Sequence, residues 1–118
     1  MTDPRTIRKF EYRPCRIATG FEVDFVVQDD IFHGVCRDVS DAGIRATFDN
    51  SLTVGDSGKL TLRHPVGMLD LEAQVAYIER QYVGLVFTFK TPWESARTID
   101  FMASIANYEA DPMVVRFI

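Results

Sequence analysis

Between Phe21 and Phe89 apolar residues recur at every second position in short runs, and this period of two leaves the chain few folds to choose from. Phe21, Val23, Phe25 and Val27 alternate with Glu22 and Asp24, the pattern of a strand buried on one face. Asp29-Asp30 predicts a turn, and the run from Ile31 to Val39, carrying His33, Gly34 and Arg37, returns from it as a hairpin. Ile44, Ala46 and Phe48 alternate with Arg45 and Thr47, and Leu60 and Leu62 with Lys59, Thr61 and Arg63. The longest run sets Leu69, Leu71, Ala73, Val75 and Tyr77 against Asp70, Glu72, Gln74 and Ala76. Val83, Leu85, Phe87 and Phe89 end the series. Six short strands with one apolar face predict a closed or nearly closed antiparallel barrel, because closure removes the edges a flat sheet would expose.

The pattern changes at Thr91-Pro92-Trp93-Glu94. A Thr N-cap, a Pro at the first helical position and a Glu three residues after the cap predict a helix start. Ile99, Met102, Ala103 and Ala106 fall at helical spacing and are expected to face the barrel, with Arg97, Asp100 and Asn107 toward solvent and Trp93 in the core or at the cap. Asp111-Pro112 is expected to end the helix. The apolar terminus from Met113 to Ile118 can dock on the barrel, add a strand or join a partner chain, a second copy of this chain included. The expected organisation is a flexible basic arm over 1–16, a barrel over 17–90, and a helix with an apolar tail over 91–118.

With 118 residues, 47% of them hydrophobic, the chain can bury the core of one domain and is too short for two ordinary ones. Its formal charge of −4 hides an asymmetry: Arg5, Arg8, Lys9, Arg13 and Arg16 against Asp3 and Glu11 give the first 16 residues +3, so the other 102 carry −7. An acidic body repels a long polyanion while a basic arm attracts a small one, which argues against DNA or RNA as partner. No run approaches the ~18 apolar residues of a membrane span, and the polar opening residues are unlike a secretory signal. Cys15 and Cys36 lack the spacing of a disulfide framework or zinc site, so reduced thiols and cytoplasmic residence are expected. His33 and His64 are expected in loops or at the surface, with no metal site. Ser40 has no Gly-x-Ser-x-Gly elbow around it and no Gly-rich phosphate loop occurs, so no catalysis and no cofactor are expected.

What remains is Asp38-Val39-Ser40-Asp41-Ala42-Gly43, at the junction of two strands, with Arg13 and Arg16 closing the basic arm just upstream. Guanidinium groups grip phosphate through paired N–H donors and can dock on or stack against guanine, while a carboxylate accepts from guanine N–H groups. A guanine nucleotide with few phosphates suits that set. Here the sequence resembles the PilZ domain family, bacterial receptors for the second messenger cyclic di-GMP. In that family an Arg-x-x-x-Arg motif precedes a barrel bearing Asp/Asn-x-Ser-x-x-Gly. Asp38, Ser40 and Gly43 match the second motif, and Tyr82-Val83-Gly84-Leu85-Val86-Phe87 is similar to the family's late glycine-and-phenylalanine strand. The resemblance runs from about Tyr12 to Phe89.

The resemblance implies a six-stranded barrel that binds cyclic di-GMP, often as an intercalated dimer, the arm wrapping the ligand and the Asp38 turn holding one guanine. Arg13, Arg16, Asp38, Ser40 and Gly43 are the implied ligand residues. Aligning Arg16 with the second family arginine puts Tyr12 at the first position, with Arg13 one residue late and Arg8 and Lys9 farther up the arm. Tyr12 can stack on a base but supplies no charge. A register on Arg5 and Lys9 keeps the spacing but lies farther from the barrel. Two functions follow: a receptor that relays messenger level through protein contacts, and a degenerate adaptor of the same fold that binds no nucleotide.

Overall fold

A computed structural model describes residues 16–110. Arg8, Lys9, Tyr12 and Arg13, and the terminus from Met113, lie outside the described residues. Six strands, β1 (Ile17–Val27), β2 (Asp30–Val39), β3 (Gly43–Phe48), β4 (Ser57–His64), β5 (Gly67–Glu79) and β6 (Tyr82–Phe87), precede one helix, α1 (Pro92–Ala110). All pairings are antiparallel, and the order β1-β2-β3-β6-β5-β4 closes where β4 pairs with β1. The expected barrel is therefore observed.

Alternation decides the interior. Phe21, Val23 and Phe25, Leu60 and Leu62, Leu69 to Val75 at every second residue, and Val83, Leu85 and Phe87 are all buried in one cluster. Each of the larger side chains among them stabilises the fold by roughly 1.5–3 kcal/mol through removal from water. The first hairpin turns at Gln28 and Asp29, one residue earlier than expected: Val27 pairs with Asp30, which already belongs to β2, and Gln28 takes a left-handed φ of 55°. Such two-residue connections need that conformation to match the strand twist.

At the helix start, Glu94 N–H donates to Thr91 Oγ1 (3.2 Å), and Glu94 Oε1 accepts from Lys90 N–H (2.7 Å), one residue before the cap. The capping logic holds, but Trp93 is 81% exposed rather than buried, since the second helical position points away from the barrel. The buried stripe is also rotated from expectation. Thr98, Met102 and Ile105 face the barrel, whereas Ile99 and Ala103 are exposed. Thr98 can be buried because its hydroxyl donates to the Glu94 carbonyl (2.8 Å), which satisfies its polar atom within the helix.

His64 is a further departure. It is 6% exposed and wedged between Phe21 and Tyr108, with edge-on ring centroids at 5.0 and 4.9 Å. Its Nδ1 accepts from Val66 N–H (3.1 Å), which leaves Nε2 facing Glu109 at 3.5 Å. Thr19 Oγ1 donates to the same Glu109 carboxylate, so the last turn of α1 is tied to both β1 and β4. Loss of water around the ring lowers the His64 pKa, with Glu109 opposing that shift.

Candidate functional site

The site forms where period two fails. β1 breaks register between Ala18 and Phe21 and β2 between Cys36 and Asp38, side by side because Ala18 pairs with Asp38. In an unbroken strand Asp38, two residues after inward Cys36, would point into the barrel. The extra residue gives the inward place to Val39 and turns Asp38 outward opposite Arg45. There Asp38 Oδ1 accepts from Arg16 Nε, and Oδ2 pairs with Arg45 Nη2 at 2.8 Å. The aspartate is 7% exposed, yet both arginines remain half-exposed. One carboxylate thus holds two cations at the surface, leaving a local surplus of one positive charge. Arg45 is further braced by the Tyr82 ring, 5.0 Å from the guanidinium carbon to the centroid.

Ser40 and Gly43 build the turn behind this pair. Ser40 is 1% exposed; its N–H donates to Gly43 O (2.9 Å), while Oγ accepts from Ala42 N–H (3.2 Å) and Gly43 N–H (3.3 Å). Gly43 is required by packing, since a Cβ there would lie 2.2 Å from the carbonyl oxygen of Leu85 on β6. Neither residue presents a free group to the outer face, whereas Asp38 reaches both arginines. Beneath the site, burial pushes the Cys36 thiol up to about 12, and the neighbouring Asp38 charge adds to the shift. That sulfur stays protonated and unreactive.

Beside Arg16 a shallow groove of about 140 Å³ runs over Gly43 and Gly84 to Tyr77 and Val86. Tyr77 stands in its wall because a third break, between Val75 and Tyr77, reverses the parity of β5. The residue expected inside the barrel is instead outside, 44% exposed, with its ring over Gly84 at the place a Cβ would occupy. A second hollow of about 260 Å³ lies on the other side of the turn, between Ile17, Ser40 and Asp41 and the exposed Ile99 edge of α1.

Of the residues singled out from sequence, the structure brings Arg16 and Asp38 into contact and places Ser40 and Gly43 in the supporting turn. Arg13, Arg8, Lys9 and Tyr12 lie outside the described residues. Arg45, Tyr77 and Tyr82 were missed. Arg45 had a readable signal: counting outward from the turn at Ser40–Gly43 pairs Val39 with Ile44 and Asp38 with Arg45. Tyr77 had none, because a bulge leaves no mark in a run that alternates cleanly.

The PilZ domain family profile matches residues 7–104. Similar solved structures include the PilZ domain of CeSA from a cellulose-synthesizing bacterium, with 17% identity, a TM-score of 0.66, and coverage of 78% of this chain and 98% of that one. YcgR from Escherichia coli in complex with c-di-GMP is similar at 16% identity and a TM-score of 0.69. That match covers 80% of this chain and 46% of YcgR, so the chain spans about half of that protein's length. The Borreliella burgdorferi PlzA protein in complex with c-di-GMP matches at 13% identity and a TM-score of 0.52, covering 91% of this chain and 58% of PlzA. No curated protein sequence matches the chain. At these identities the structural likeness is one of fold, and it is the profile, matched over most of the sequence and including the Asp38 turn, that assigns the family: the chain belongs to the PilZ domain family.

Proposed function

We propose that this protein is a cyclic di-GMP receptor. The observation that carries the reading is the Asp38 carboxylate holding Arg16 and Arg45 at the rim of an outer groove, in a PilZ domain whose structural neighbours YcgR and PlzA are in complex with that nucleotide. Arg16, with Arg13 and with Arg8 or Lys9 from farther up the arm, grips the phosphates through charge-assisted bonds, and Tyr12 stacks on a base. Asp38 exchanges an arginine for guanine N–H donors, while Ser40 and Gly43 keep the turn that aims it. The chemistry is binding rather than turnover. Folding of the arm over the nucleotide creates a new surface for a partner protein, and Thr19, three residues after Arg16, passes the change to α1 through Glu109.

Titration calorimetry at low salt tests this. Saturable heat with cyclic di-GMP in the micromolar range is expected, with at least a tenfold loss, about 1.4 kcal/mol, in Arg16→Ala and in Asp38→Ala and a smaller loss in Arg5→Ala. No heat with the wild-type protein overturns the reading. One observation favours the adaptor alternative: both carboxylate oxygens of Asp38 are already satisfied by arginine, so the motif has a structural use without ligand.

A further inference from the structure

The groove beside Arg16 is lined in a way the ion pairs do not explain. Small residues, Ala42, Gly43, Ala76 and Gly84, make up much of its lining, and the Tyr77 ring stands in its wall. Charge is confined to one end, where Arg16 stands. A lining of small residues, an aromatic wall and a cation at the rim suit a flat heteroaromatic ring joined to an anion. Resting on the reading of the protein as a cyclic di-GMP receptor, we propose that Tyr77 is the stacking wall for one guanine of the nucleotide, with its phosphate directed at Arg16.

Two details support the assignment. The register break before Tyr77 departs from strand geometry, and its effect is to take a large aromatic residue out of the core and stand it half-exposed on the binding face. Its ring is seated on Gly84, where a Cβ would lie 2.1 Å from Cε1 and 2.4 Å from Cζ. Glycine at 84 is what leaves that resting place open.

The test is calorimetry of cyclic di-GMP with the wild-type chain, Tyr77→Ala, Tyr77→Phe and Gly84→Ala, each first checked for an unchanged circular-dichroism melt. Stacking on an aromatic side chain predicts at least a tenfold loss of affinity in Tyr77→Ala and less than a threefold change in Tyr77→Phe. Gly84→Ala, which pushes the ring from its seat, is expected to alter affinity while Tyr77 itself is intact. The Tyr77→Ala loss should persist at high salt, whereas that of Arg16→Ala shrinks as charge is screened. Wild-type binding with Tyr77→Ala within twofold of it overturns this assignment and leaves the receptor reading standing. A loss in Tyr77→Ala that vanishes with salt also overturns it. Absence of wild-type binding overturns both.

Discussion

Asp38 is where the ion-pair geometry makes its sharpest prediction, because the sign of the effect depends on its neighbours. At an effective dielectric of ~20, opposite unit charges ~4 Å apart attract by about 4 kcal/mol before desolvation is counted. Pairs with an exposed partner deliver far less, ~0.2–1 kcal/mol. Arg16 and Arg45 are half-exposed while the carboxylate is nearly buried, which puts each pair near the top of that lower range. Asp38→Ala should therefore cost about 2 kcal/mol, measured as a shift in the urea midpoint, and the loss should shrink in molar salt. Asp38→Asn should cost less, since an amide oxygen still accepts from one guanidinium. In the background Arg16→Ala/Arg45→Ala the same aspartate is a buried charge without its cations, a costly arrangement. There Asp38→Ala should be neutral or stabilising. An equal cost of Asp38→Ala in both backgrounds would refute the two-cation reading and mean that the residue matters only for packing.

Gly43→Ala should destabilise by roughly 2 kcal/mol or more, because the clash is with the Leu85 carbonyl and backbone cannot yield as a side chain does; chemical denaturation measures it. His64 has a folded-state pKa below its ordinary value of 6.5, so the native state disfavours its proton. Stability from this group is full above about pH 6.5 and falls as pH drops toward the folded pKa, with a slope of at most ~1.4 kcal/mol per pH unit; His64→Gln should flatten the urea midpoint between pH 7.5 and 5.5, and an unchanged slope would remove His64 as the cause. Cys36, buried and with its thiol pushed up to about 12, should resist an aromatic disulfide reagent at pH 8 in a Cys15→Ser background and react fully in denaturant.

The strands were legible because a closed barrel with a filled interior demands alternation, and Phe21 to Val27 or Leu69 to Val75 supply it without interruption. The helix start was legible for a local reason, the Thr91 and Glu94 side chains answering backbone donors. Its inner face was not, because Thr98 reads as polar until its hydroxyl is seen bonded to the Glu94 carbonyl, and Ile99 reads as core although it borders an open hollow. His64 looked like a loop residue beside Pro65, but the end of α1 covers it, a tertiary event that local sequence does not record. At the site, motif spacing located Asp38, Ser40 and Gly43, whereas Arg45, the second cation on Asp38, belongs to no motif and becomes visible only through the β2–β3 register.

These gains and misses have a common physical cause. The interior of this six-stranded barrel is filled by Phe25, Leu60, Leu62, Val75 and their neighbours, so the proposed binding chemistry belongs on the outer wall. That wall inherits every second residue, and perfect alternation would present there a set of side chains fixed by parity alone. Each register break changes one assignment: Asp38 is turned out to meet Arg45 and Arg16, Tyr77 is turned out to stand over Gly84, and the break in β1 spans Thr19, which reaches Glu109 on the helix. The breaks in β1 and β2 cost ladder hydrogen bonds at adjacent positions, a loss that a scaffold selected for stability alone would not concentrate in one place. Their concentration beside the arginines places the irregularity of the barrel at the candidate site. Deleting the extra residue Arg37 leaves Asp38 directly after inward Cys36, outward and still opposite Arg45, so the coupling between Asp38 and Arg45 in a double-mutant cycle should survive the deletion; its loss would refute Arg37 as the extra residue of the bulge.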